Sequence, residues 1–397
     1  MPTESAFLLA GLLFIAAALG YVFAKFGESD DDDGEGSRQL SSDYLKGLNY
    51  VLNEQPDRAV ELFTRMAELD DEALETHFAL GSLFRKRGEV DRAIRVHQNL
   101  MARPGLSQAH KDQAEAALAE DYLSAGLFDR AERLFQKLCD SSEFRVRALQ
   151  RLVRIYEITS EWSRAIEVRA ELERAQKGLP GRPAAGAELA HYYCQIAEQA
   201  RTRQDIEKAR EMLKHADGCR ERTVRSQLAR ADLDSDSGRA RDALRGYRKV
   251  VKAAPYLVMD VLPRLVVVYR QLEDEPGLGV ELRRLIESDE KHVASIAMAA
   301  IRYPDIDHPV VLDALLTFIA TDPILSGLIG AGRIETAPED DRAELLDEVR
   351  QALRAIVATR PGYHCSECGY ACLTMQWQCP GCRAWETVKP EAQLRLT

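Results

Sequence analysis

Four cysteines stand in two Cys-x-x-Cys pairs, Cys365/Cys368 and Cys379/Cys382, within eighteen residues near the C-terminus. Each pair can wrap a turn around a cation so that both sulfurs point inward, with backbone N–H groups left to stabilise the thiolates. Two such turns make a tetrahedral set of four sulfurs, which suits Zn²⁺ or a single iron. The expected cofactor is one metal ion in a four-cysteine site, iron or zinc. Gly369 and Gly381 supply the flexibility these turns need. A redox dithiol would use one such pair and leave the second unexplained, and two disulfides would require an oxidising compartment. His364, beside the first pair, could compete for the metal; Cys372 falls outside both pairs and is read as a simple thiol. A segment this short cannot fold on an apolar core alone, so the metal must contribute much of its stability.

No other constellation in the chain suggests chemistry. The eight histidines are scattered, and no Ser/His/Asp arrangement, phosphate-cradling glycine loop or paired carboxylates on a recognisable scaffold stands out. The reading is a non-enzyme. A net charge of −11 without a long basic run argues against nucleic acid as a partner. The remaining cysteines, Cys139, Cys194 and Cys219, are dispersed through a long helix-rich chain, a pattern of a reducing compartment.

The elements that must position the cysteines form a repeat. Gly47 and Gly81, Ala59 and Ala93, Ala131 and Ala165, and Ala209 and Ala243 are each 34 residues apart. Asp57-Arg58-Ala59, Asp91-Arg92-Ala93 and Asp129-Arg130-Ala131 repeat a longer signature, followed by Phe63, His97 and Phe135. This step resembles the tetratricopeptide repeat (TPR), in which small residues mark the crossing of two antiparallel helices. About seven units are expected over residues 40–290, with a Gly/Pro-rich insertion at 177–187. Such an array presents a groove to a peptide or another protein. Arg151, Arg154 and Arg225 could meet acidic segments there, although each taken singly reads as part of a solvated helix face. Residues 291–360 stay helical without the repeat: Asp322-Pro323 looks like a helix start, and 340–359 carries an apolar stripe. These are expected to be capping helices that deliver the chain to a metal module at 361–397.

The N-terminus adds a further element. Residues 6–24 carry no charge over nineteen positions, a helix of about 28 Å against a hydrocarbon core of ~30 Å. The preceding five residues hold no Lys or Arg, so a signal-peptide n-region is missing and a retained anchor over 1–26 is expected. The lack of basic residues on the N-side places the body in the cytoplasm. Residues 27–39, with four consecutive aspartates, read as an acidic linker. The fold expected is therefore an all-α TPR solenoid with an N-terminal transmembrane helix and a small C-terminal metal module.

The knuckles Cys365-Ser366-Glu367-Cys368-Gly369-Tyr370 and Cys379-Pro380-Gly381-Cys382 resemble those of rubredoxin, with only ten residues between Cys368 and Cys379. That short spacer predicts a thin apolar shell and favours a structural metal over an electron-transfer one. Anchor, array and module together resemble the LapB (YciM) family, lipopolysaccharide assembly protein B of Gram-negative bacteria. The specific points are Asp43-Tyr44 through Asp57 and the tail from Trp377 to Pro390. The acidic stretch after the anchor departs from the family, where basic residues are expected. The resemblance implies a single-pass inner-membrane adaptor facing the cytoplasm. It implies as partners the protease FtsH, the deacetylase LpxC whose degradation it promotes, and other lipopolysaccharide assembly proteins. It maps the family's four metal ligands onto Cys365, Cys368, Cys379 and Cys382. Homodimerisation is left open, and the rival reading is a membrane-tethered, rubredoxin-type iron carrier.

Overall fold

Apolar residues recurring at three- and four-residue spacing put most of the chain into amphipathic helices. The computed structural model describes residues 43–391, apart from 44, 48, 51, 52, 54, 70–73, 177–185, 220–222, 290, 304, 322–324 and 327–338. The expected anchor, the acidic linker, most of the Gly/Pro-rich insertion and the Asp322-Pro323 helix start lie outside the described residues. Among the described residues, no helix is long and apolar enough to cross a membrane. The chain divides into two compact units between Thr159 and Ser160.

The first unit contains α1 (Pro56–Leu69), α2 (Leu74–Lys86), α3 (Val90–Met101), α4 (Gln108–Ser124), α5 (Phe128–Leu138) and α6 (Arg145–Ile158). Each helix packs on the next. The alanines that set the repeat, Ala59, Ala93 and Ala131, have no exposed surface, and Phe63, His97 and Phe135 one turn later are equally enclosed. Two glycines show why the positions must be small. A Cβ on Gly47 would stand 2.5 Å from the Phe63 ring, and one on Gly81 would overlap the His97 ring. Behind Gly81, the buried Asp121 accepts from Arg85 at 2.5 Å and pairs with His97.

The second unit continues with α7 (Trp162–Ala175), α8 (Gly186–Thr202), α9 (Ile206–Gly218), α10 (Val224–Asp236) and α11 (Ala240–Ala253). A 3-10 turn at Pro255–Leu257 leads into α12 (Val258–Gln271), α13 (Glu275–Ser288), α14 (Lys291–Arg302), α15 (Pro309–Thr321) and α16 (Glu339–Ala358). Ala165, Ala209 and Ala243 again mark buried crossings, and a Cβ on Gly246 would fall 2.7 Å from that of Ala231. Thus the helical array has the TPR-like form that the 34-residue step predicts. Past the repeat, α14 packs on α15 and α16 returns against α14.

The chain then forms a small antiparallel sheet of β1 (Tyr363–Cys365), β2 (Ala371–Cys372) and β3 (Val388–Pro390), in the order β2-β1-β3. Tyr363 opposes Cys372 on one side and Pro390 on the other. Tyr363, Cys365, Cys379 and Val388 belong to one buried cluster with residues of α10 to α16. The sheet therefore shares the core of the array's second unit.

Candidate metal centre

The two knuckles are built alike. In the first, Gly369 N–H donates to the Cys365 carbonyl at 3.0 Å, and Cys365 N–H donates to the Tyr370 carbonyl at 2.9 Å. In the second, Arg383 N–H donates to the Cys379 carbonyl and Cys379 N–H to that of Ala384, both at 2.9 Å. The residue after the second cysteine is left-handed in each, Gly369 at φ +72° and Arg383 at φ +66°. Gly369 fills that place without steric cost; Arg383 does so at roughly 1 kcal/mol or more. Gly381, expected to loosen the second turn, is not the residue that turns left-handed.

Together the knuckles bring the four sulfurs within 4.8 Å of one another. Cys365 Sγ is 3.6 Å from Cys382 Sγ, and Cys368 Sγ is 3.7 Å from Cys379 Sγ. A tetrahedron with metal–sulfur bonds of ~2.3 Å has edges of about 3.8 Å, so the set fits one metal ion. Cys365 and Cys379 face the core while Cys368 and Cys382 are exposed. The other candidates stand apart. His364 points its Nδ1 at Glu391, 3.0 Å away, and Cys372 sits in β2 outside the sulfur cluster, its thiol pushed up first by burial.

Two of the thiols are pulled in opposite directions. The Thr387 hydroxyl, 3.2 Å from Cys365 Sγ, leads the contacts that lower Cys365 to about 6. At Cys382 the Ala384 N–H pulls down, but desolvation and the three neighbouring sulfurs outweigh it and push the thiol up to about 12.

The module is seated on the array through groups that sequence reasoning missed. The Tyr363 hydroxyl donates to Asp260 Oδ1 at 2.6 Å in the core. Trp385 stacks on the His191 ring of α8, and Arg225 of α10 lies between the indoles of Trp377 and Trp385. Arg302 of α14 donates to the Leu373 carbonyl at 3.1 Å. Glu386 brings a carboxylate oxygen to 3.9 Å from His191 Nε2 and acts on Arg225 at longer range. Thr223 caps the following N–H of Ser226, so the first turn of α10 is finished by its own N-cap. The thin shell expected from the short spacer is thus thickened by the array. Arg225 also departs from the sequence reading: it is buried, whereas Arg151 pairs with Glu120 at 2.8 Å. The Trp and Glu positions carried a signal only in the tail that resembles the LapB family.

The rubredoxin metal binding domain family matches residues 363–390, and the tetratricopeptide repeat family matches residues 76–107. Lipopolysaccharide assembly protein B of Escherichia coli strain K12 is 34% identical over 386 residues, covering 96% of this chain and 97% of the relative. This chain belongs to the lipopolysaccharide assembly protein B family. The Haemophilus influenzae member is 32% identical over 394 residues, covering 96% and 98%. Among solved structures, that of Pseudomonas aeruginosa pilF covers 55% of this chain and 93% of its own at 14% identity, with a TM-score of 0.34. Both halves of the family's architecture, the repeats and the four-cysteine module, are present in this member.

Proposed function

We propose that this chain is a membrane-anchored, cytoplasm-facing adaptor that regulates lipopolysaccharide synthesis. It promotes degradation of the deacetylase LpxC by the protease FtsH and scaffolds other lipopolysaccharide assembly proteins. The observation that carries this reading is end-to-end similarity to relatives named for lipopolysaccharide assembly. A TPR-like array adds a surface for polypeptides, and the four-cysteine module adds a rigid foot held by one metal ion, iron or zinc. Residues 6–24 supply the inner-membrane anchor, which puts the array beside a membrane protease and raises the local concentration of bound substrate there. The chain acts by holding partners and carries out no reaction itself.

A Cys365→Ser/Cys368→Ser chain, assayed for metal content and for the cellular level of the deacetylase, tests the module's part. Loss of metal with a rise in deacetylase is expected; unchanged deacetylase in a metal-free, folded protein overturns it. Deleting residues 1–26 is expected to raise the deacetylase as well, and full regulation by the soluble form would show that the anchor positions nothing.

A second reading, a tethered iron carrier, draws on the exposure of Cys368 and Cys382, through which an electron could enter. Protein purified from its own cell with visible colour and a reversible one-electron couple would favour it over the adaptor.

A further inference from the structure

Beside the module's seat, a cavity of about 250 Å³ opens between α8, α10, α12 and Trp377. Its charged lining is Glu198, Arg201, Arg225, Asp232 and Arg264. Both acids are already engaged. Glu198 accepts from Arg201 at 3.1 Å; Asp232 accepts from Arg264 at 2.9 Å and from the Tyr247 hydroxyl at 2.8 Å. Arg201 also reaches Asp236 at 2.6 Å.

Arg225 differs from its neighbours. It is 6% exposed, and no carboxylate pairs with its guanidinium within 4.0 Å among the described residues. Its polar contact is the His191 carbonyl at 3.5 Å, and the indoles of Trp377 and Trp385 flank it at 5.7 and 5.8 Å. Glu198 and Glu386 act on it only at longer range. Cation–π contact offsets part of the cost of burying an unpaired guanidinium, and a carboxylate partner would offset more.

We infer that this cavity binds a carboxylate of a polypeptide partner, an acidic side chain or a free C-terminus, with Arg225 as the anchor. Arg201 is met by Glu198 and Asp236 and Arg264 by Asp232, which leaves Arg225 as the lining cation with no carboxylate against it among the described residues, a match for a monoanion. A phosphate dianion would bring a second negative charge against Glu198 and Asp232. Leu228, Ala229 and Trp377 give apolar walls for the carbon atoms next to the carboxylate. The inference deepens the adaptor reading and rests on it for the polypeptide nature of the occupant.

The test measures calorimetric binding to the detergent-solubilised full chain. The probes are a capped pentapeptide with one central glutamate, its glutamine counterpart, and an uncapped pentapeptide with a free C-terminal carboxylate. At least one carboxylate peptide should bind about tenfold or more tightly than its neutral counterpart; which one does so identifies the source. Arg225→Gln should abolish that preference. Ala229→Phe fills the cavity while leaving Arg225 and the module's seat in place, and should weaken carboxylate binding by a similar factor. Equal binding of charged and neutral peptides, no binding of any, tighter binding of inorganic phosphate, or indifference to Ala229→Phe each overturns the proposal. The adaptor reading fails separately, through a deacetylase level that does not respond to deletion of the whole chain.

Discussion

Trp385 lies flat against His191, ring centroids 4.5 Å apart and planes 8° from parallel. Burial, then the charge of Arg225, lowers His191 to about 3 from its ordinary 6.5. The unfolded chain therefore holds more protons than the native one between those values. Stability from this group is full above about pH 6.5 and falls away as pH drops toward 3, the loss reaching ~2 kcal/mol by pH 5. Glu386, with an oxygen 3.9 Å from Nε2, is the acidic group facing the same ring. Denaturant melts at pH 7.5 and 5 should show His191→Phe losing less stability on acidification than wild type, by about that amount. Equal losses would mean that the ring is protonated in the native state.

Tyr363→Phe should destabilise the second unit by about 1–3 kcal/mol, because it strips a buried carboxylate of its donor. Asp260 Oδ1 accepts that hydroxyl at 2.6 Å, and Oδ2 has no partner among the described residues. Burial already raises the Asp260 carboxyl. Adding Asp260→Asn to Tyr363→Phe should recover part of the loss in a denaturant titration. A double variant whose cost equals the sum of the singles would show that the two groups are uncoupled.

Gly81→Ala places a methyl against the His97 ring, which is itself fixed by Asp121. Overpacking of this kind costs about 1–3 kcal/mol. The measurement is thermal unfolding of the variant beside Gly88→Ala as a control. Gly88 has open space around its missing Cβ but φ +80°, so its loss should be purely conformational, about 1 kcal/mol. A smaller effect at Gly81 than at Gly88 would mean that α2 and α3 can move apart at little cost.

Stripping the metal with a chelator should undo the sheet β2-β1-β3 and with it the seating of Trp377 and Trp385. Their fluorescence is expected to shift to the red in step with metal loss measured by elemental analysis, while helical circular dichroism largely persists. An unshifted spectrum in fully metal-free protein would show that the seat alone holds the module.

Much of this organisation was legible in the residues. Ala59, Ala93, Ala131, Ala165, Ala209 and Ala243 recur because helix crossings admit nothing larger, and a repeated steric demand leaves a periodic trace. The four cysteines were legible because metal ligation demands both residue type and spacing. The seat was not. Tyr363 and Asp260 are 103 positions apart, and Trp385 meets His191 across a still wider gulf, so no local period marks them. Arg225 was misread because a charged residue on a helix is usually solvated, whereas two indoles from the far end of the chain and the His191 carbonyl of α8 lie against this one.

The stacking of Trp385 on His191 of α8 has a consequence for the order of events at the ribosome. Chains emerge N-terminus first, so α8 must wait until α9 to α16 and the first two strands have been made before it meets the ring that covers His191. A nascent or prematurely terminated chain displays two unstacked indole sites in the middle of its array. The molecule thereby registers, in its own interior, whether its last residues have been made.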